Sequence, residues 1–132
     1  MVSDRCEPSP SVRWLGFPSD EELAGLYRRA WVFCLPSTYE GFGIPYIEAM
    51  ANGTPVVATP NPGSRMVLAE GRHGLVVGED ELASTLVRLL TDEEERDRWA
   101  AAGRRRAWDF SWPRVVDAHE SAYRHALDQA RR

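Results

Sequence analysis

The sequence predicts an α/β protein with a parallel sheet flanked by helices, and three observations carry that expectation. Apolar runs of strand length alternate with segments whose apolar residues recur at helical spacing. The runs are continuous instead of alternating, as in strands covered on both faces. One run is followed by a glycine-containing loop that opens into a helix, and in open parallel sheets ligands sit at such strand C-termini.

Residues 1–11 are polar, include Pro8 and Pro10, and read as a disordered leader ahead of a folded region spanning 12–132. Val12 to Leu15 is a short strand candidate closed by Gly16 and Pro18. Ser19 and Glu22 have the spacing of a capping box, and Leu23, Leu26, Tyr27 and Ala30 then line one side of a first helix. Trp31 to Leu35 is an unbroken apolar strand that stops at Pro36 and Ser37. Pro45 suits the first position of the next helix, which ends at Asn52-Gly53. Pro55 to Thr59 reads as a buried strand. Asn61 to Ser64 turns the chain into a short helix at about Arg65 to Ala69.

Gly74 to Val77 is the fourth strand, and Glu81 to Leu90 packs a helix back on the sheet through Leu82, Leu86, Leu89 and Leu90. Asp92 is placed to cap a charged helix reaching Ala107, whose charges read as a solvated face. Ser111 caps a last helix with Trp112, Val115, Val116, His119, Tyr123, Ala126 and Leu127 along one side.

A chain of 132 residues makes one domain with a real core. Its net charge of -4 and dispersed basic residues argue against nucleic acid as a partner. All sixteen basic residues are arginine, which excludes Schiff-base chemistry and a lysine-dependent phosphate loop within these residues. Cys6 in a polar segment and Cys34 in an apolar strand fit a reducing compartment better than a disulfide framework. No stretch approaches the ~18 apolar residues of a membrane span, and no signal peptide is evident. The chain therefore reads as cytoplasmic, with peripheral docking on a membrane through a partner left open.

The chemistry concentrates between Ser37 and Gly53, where Glu40 and Glu48 are separated by seven residues. Gly41 and Gly43 lie where the backbone turns tightly or a ligand approaches closely. Glu48 is expected in the first helical turn, beside free amides and the positive end of the helix dipole. Taken singly, Glu48 could serve the dipole alone, Glu40 could be a loop surface charge, and Phe42 a plug under the loop. His73 reads as a turn residue, His119 and His125 as parts of the last helix, and the tryptophans as mostly core or interface.

The stretch SerThrTyrGluGlyPheGlyIleProTyrIleGluAlaMetAlaAsnGlyThrProValValAlaThr resembles the signature of retaining glycosyltransferases of the GT-B fold, the family-four group that uses nucleotide-diphospho-sugars. Gly16, Leu26 to Ala30, Gly71 to Gly74 and Phe110 to Trp112 extend the resemblance from about Val12 to the C-terminus. It implies a Rossmann-like sheet in a partial C-terminal, nucleotide-sugar-binding domain. It also implies roles. Glu48 would accept hydrogen bonds from the ribose hydroxyls of the donor nucleotide. Glu40 would act at the transferred sugar and its diphosphate, as nucleophile or as positioning group. Amides of Gly41, Phe42, Gly43 and Ile44 would hold sugar hydroxyls and phosphate oxygens. No metal and no cofactor beyond the donor substrate are implied.

The sequence departs from the family in two places. Met66 stands where a glutamate is usual after the strand at Pro55 to Thr59, and Arg65 before it could supply an anion contact instead. The resemblance also implies an acceptor-binding domain and two initial strands with an arginine and lysine pair for the diphosphate, none of which these residues contain. In a 3-2-1-4-5-6 sheet, the strands from Val12 to Val77 would be the third to sixth. The strand Trp31 to Leu35 would then show a bare edge, calling for a partner polypeptide or self-association. The function expected is sugar transfer with retention, this chain supplying the donor-binding part. The alternative is a non-catalytic binding or assembly module working through a partner chain. A nicotinamide-type dinucleotide fold would need a third glycine after Gly41-Phe42-Gly43, and the helix offers none.

Overall fold

The computed structural model describes residues 11–131. Its elements run α1 (Asp20–Arg29), β1 (Phe33–Leu35), α2 (Ile44–Ala51), β2 (Val56–Ala58), α3 (Pro62–Val67), β3 (Leu75–Val76), α4 (Glu79–Thr91), α5 (Glu93–Ala107), a 3₁₀ turn at Trp108–Phe110, and α6 (Trp112–Ala130). The three strands form one parallel sheet in the order β1-β2-β3. Phe33 pairs with Val56 and Leu35 with Ala58 on one side, Val57 with Leu75 on the other. This is the Rossmann-like α/β architecture expected from the alternation of strands and helices.

The central strand β2 is buried throughout, since β1 and β3 cover its edges and helices its faces. Tyr46, Ala49 and Met50 of α2 are fully buried, as are Val67 and Leu68 around the end of α3. Gly103 lets α5 lie close on α2, because a Cβ there would come within 2.9 Å of Met50 Cγ. Local signals set the helix starts. Ser19 and Glu22 close a reciprocal capping box at α1, and Asp92 Oδ1 accepts from the Glu95 amide at 2.8 Å to start α5.

Several expectations are corrected. Val12 to Leu15 is exposed coil, not a strand: no neighbouring edge pairs with it and no covering layer reaches it among the described residues. The sheet therefore has three strands, and β1 has no neighbour on its outer edge among the described residues. The strand at Trp31 begins two residues later, with Trp31 59% exposed and the Arg96 guanidinium 4.6 Å from its ring centroid. Asn61 to Ser64 is not a turn before a helix but the cap and first turn of α3. Helix α4 begins at Glu79, ahead of Glu81.

Ser111 precedes α6 but its hydroxyl makes no capping bond, and α6 buries no residue. Its apolar side forms as expected yet lies open, with Trp112 81% and Tyr123 66% exposed. Trp14 and Trp108 are exposed too and Trp99 is half-buried, so none of the tryptophans is a fully buried core residue. The leader expected at 1–11 and Cys6 fall almost wholly outside the described residues. Cys34 is half-buried in β1, and burial pushes its thiol pKa up, which keeps it protonated. Among the described residues no helix is long and apolar enough to cross a membrane.

Candidate functional site

The C-terminal ends of β1 and β2 point the same way, and the loop carrying Glu40 leaves the first of them. That loop rests on α3. The Gly63 amide donates to the Glu40 carbonyl at 3.0 Å, and a Cβ at Gly63 would stand 2.9 Å from that carbonyl oxygen and 3.0 Å from that of Phe42. Only glycine allows so close a seat. Beneath the loop, Thr59 Oγ1 donates to the Ser37 carbonyl at 2.8 Å, and Asn61 Nδ2 to the same oxygen at 3.0 Å. Asn61 Oδ1 accepts from the Ser64 amide at 2.8 Å, and Ser64 Oγ donates to the Thr59 carbonyl at 2.8 Å. Thr59, Asn61 and Ser64 are buried, Ser37 is half-buried, and all are mutually satisfied, so the network fixes where both strands end. Ser37 Oγ donates to Glu40 Oε1 at 3.3 Å, orienting that carboxylate.

The glycines in the loop differ in kind. Gly43 is the N-cap of α2 at φ 92°, where a Cβ would also run into the Tyr46 ring. Gly41 has ordinary φ and open space where its Cβ would be. The backbone amides of Gly41, Phe42, Gly43 and Ile44 donate no hydrogen bond among the described residues. Four free donors at a helix start beside a carboxylate can accept an anion and hydroxyl groups. Phe42 is 47% exposed and meets Phe110 edge to face at 5.9 Å, so it flanks the loop instead of plugging it.

Glu48 is not in the first turn of α2. The helix begins at Ile44 with Pro45 second, which places Glu48 fifth and beyond the free amides, with no acidic residue in that turn. Its partner is lateral: Tyr27 of α1 donates its hydroxyl to Glu48 Oε2 at 3.2 Å. Both residues line an open cleft of about 120 Å³ between α1 and α2, shared with Asp20, Leu23, Ala24 and Asn52. Asn52 Nδ2 caps the Glu48 carbonyl at 2.9 Å. Burial, then the neighbouring Glu48 charge, then the hydrogen bond to it push the Tyr27 pKa up to about 12. The phenol is therefore the donor and the carboxylate the acceptor.

Two other residues stand apart. Gly16 lies in exposed coil at φ 64° with nothing within 4 Å of a built Cβ. Arg65 is on α3 and pairs at 2.8 Å with Glu70 on the surface, not with Glu40. His73 sits in a turn with Nδ1 3.2 Å from the Ala102 carbonyl. No group of three or more His, Cys, Asp or Glu residues could hold a metal ion among the described residues.

Sequence reasoning missed Tyr27, Asn61 and Gly63 as supports of the site. Tyr27 was legible only as part of an apolar stripe, although a buried tyrosine must find a partner for its hydroxyl. Asn61 before Pro62 carried the signal of a helix cap.

Residues 3–106 match the family model described as glycosyl transferases group 1. The chain is 43% identical over 114 residues to an MMP alpha-(1->4)-mannosyltransferase of Mycolicibacterium hassiacum, covering 83% of this chain and 28% of that protein. It is 42% identical over 125 residues to a D-inositol 3-phosphate glycosyltransferase of Frankia alni, covering 92% of this chain and 31% of the relative. With an O-antigen chain mannosyltransferase B of Escherichia coli the identity is 36% over 116 residues, 86% of this chain and 30% of the other. The chain thus spans less than a third of the length of these relatives.

Proposed function

We propose, on the premise that this chain belongs to the group 1 glycosyl transferases, that it supplies the donor-binding part of an enzyme transferring a sugar with retention from a nucleotide-diphospho-sugar to an acceptor. The observation that carries the reading is the composition of one sheet end: Glu40, four free amides and the start of α2, with Glu48 a turn further on in an open cleft. Glu48 takes the ribose hydroxyls. A carboxylate has lone pairs enough for a vicinal diol even with one oxygen engaged by Tyr27.

Glu40 and the amides of Gly41 to Ile44 take the sugar and diphosphate. In retaining transfer the sugar carbon gains positive character while the diphosphate departs. Fixed amide dipoles and the positive end of α2 stabilise the charge growing on the leaving group. Glu40, held by Ser37, stabilises the sugar's positive character or attacks it. Gly16 and Arg65 are assigned to the outer part of the donor site, which requires Arg65 to exchange its exposed partner Glu70 for the ligand. The reading needs neither metal nor cofactor, and it places the chain in the cytoplasm, with peripheral attachment to a membrane through a partner.

The free edge of β1 and the exposed side chains of α6 support completion by further polypeptide: another part of a longer protein, a partner chain or a second copy. The same exposure favours a second reading, a non-catalytic assembly module that keeps the fold and acts through its partner. Product formation in the presence of the completing polypeptide separates the two.

The donor reading is tested by Glu48→Gln. The amide keeps the shape and the bond from Tyr27 but loses the charge, and affinity for UDP-glucose or GDP-mannose, whichever binds, should fall about tenfold. The thermal midpoint should hardly move. Equal affinity in calorimetry would remove Glu48 from the site.

A further inference from the structure

The geometry points to Tyr27 as the positioning residue of the site: its hydroxyl pins one oxygen of Glu48 and so presents the other to the ligand. The inference rests on the donor reading above. Tyr27 is 8% exposed, and its ring meets Phe33 edge to face at 5.4 Å, which in turn meets Tyr46 at 6.4 Å. Its carbonyl accepts from Thr54 Oγ1 at 2.5 Å, so backbone and ring are both clamped. The hydroxyl is therefore a donor whose position the core sets.

Glu48, by contrast, is half-buried on the cleft wall, and of its two carboxylate oxygens only Oε2 has a partner among the described residues. A glutamate side chain has three rotatable bonds, and ordering it when a ligand arrives lowers affinity. With Oε2 pinned to a rigid phenol, that ordering is complete beforehand, and Oε1 remains free for hydroxyl groups in the cleft. The raised Tyr27 pKa is consistent with this, because the phenol stays protonated and donating across the neutral range.

Tyr27→Phe separates positioning from packing, since the ring contacts and the Thr54 bond survive. The probes are UDP and GDP and their 2′,3′-dideoxy forms, titrated by NMR against wild type, Tyr27→Phe and Glu48→Gln. Wild type should lose affinity when the ribose hydroxyls are removed. Tyr27→Phe should bind the parent nucleotides about three- to tenfold more weakly and the dideoxy forms as wild type does. Equal weakening for both nucleotide types would mean that the hydroxyl acts through the fold and overturns the assignment. Parent affinity unchanged in Tyr27→Phe but reduced in Glu48→Gln overturns it while sparing the donor reading. If Glu48→Gln also binds normally, or wild type binds none of the probes, both fall together.

Discussion

Glu40 is held by its own loop, through its carbonyl and a 3.3 Å bond from the nearby Ser37 hydroxyl to its carboxylate, whereas the Glu48 carboxylate is held by a tyrosine of another helix. The Glu40 carbonyl takes the Gly63 amide, the loop around it lies against α3, and a network of half-buried Ser37 with buried Thr59, Asn61 and Ser64 fastens the loop's start. Glu48 rides on a helix whose position α2's buried residues fix, and its carboxylate has one partner, Tyr27. The difference separates two tasks. A loop that must offer free amides cannot stabilise itself with those amides, so its support comes from beneath. A carboxylate on a rigid helix needs only a direction, and one hydroxyl supplies it.

The largest break in this comparison should come from Gly63→Ala. The added Cβ meets two carbonyl oxygens of the Glu40 loop, both backbone, so the loop itself must shift. Overpacking of this kind costs about 1–3 kcal/mol. Denaturant unfolding should show that loss, and amide spectra should show displaced resonances at Gly41 to Ile44 while Glu48 and Tyr27 keep theirs. Resonances of Tyr27 moving as much as those of the loop would mean that the two glutamates share one support.

Asn61→Ala should come next. It removes the cap of α3 and one of the two donors to the Ser37 carbonyl, but leaves Thr59 on that carbonyl and Ser64 on that of Thr59. A lost cap costs about 1 kcal/mol. Asn61→Asp keeps the acceptor for the Ser64 amide, loses the donor to the Ser37 and Thr59 carbonyls and buries a carboxyl group there, so it strikes the loop tether while sparing the helix cap. Stability of Asn61→Asp equal to wild type would show that the tether to Ser37 contributes nothing.

The spacing of Glu40 and Glu48 and the glycines between them were legible because they are local: a strand end, a turn and a helix start lie within consecutive residues. The supports were not. Gly63 and Tyr27 reach the motif across 23 and 21 positions of sequence, and nothing in a single sequence says which distant residue fills a given contact. Helix α6 teaches the same lesson from outside the site. Its apolar spacing announced a face, and the face formed, but what covers Trp112 and Tyr123 is not written in their spacing. The short strand at Val12 to Leu15 failed for a related reason, since apolar residues make a strand only where a neighbouring edge receives them.

A further effect distinguishes the side-chain support alone, and it appears only at alkaline pH. Tyr27 titrates at about 12 in the folded chain against 10 for the free phenol, because burial and the Glu48 carboxylate disfavour the phenolate. A folded pKa above the unfolded one means that the folded state holds its proton more tightly. The stabilisation is complete below pH 10 and is lost as pH rises through about 12. Tyr27→Phe has no such proton to lose. It should be slightly less stable than wild type near neutrality, for want of the hydrogen bond to Glu48, and the gap should narrow as pH climbs from 10 to 12. Tyr46, whose pKa burial also raises, is present in both proteins and cancels in the difference. Denaturant midpoints of the two proteins measured across that range supply the test. Curves that stay parallel would show that the Tyr27 hydroxyl is not bound to Glu48, and the contrast between a carboxylate held from another helix and one held by its own loop would then be lost.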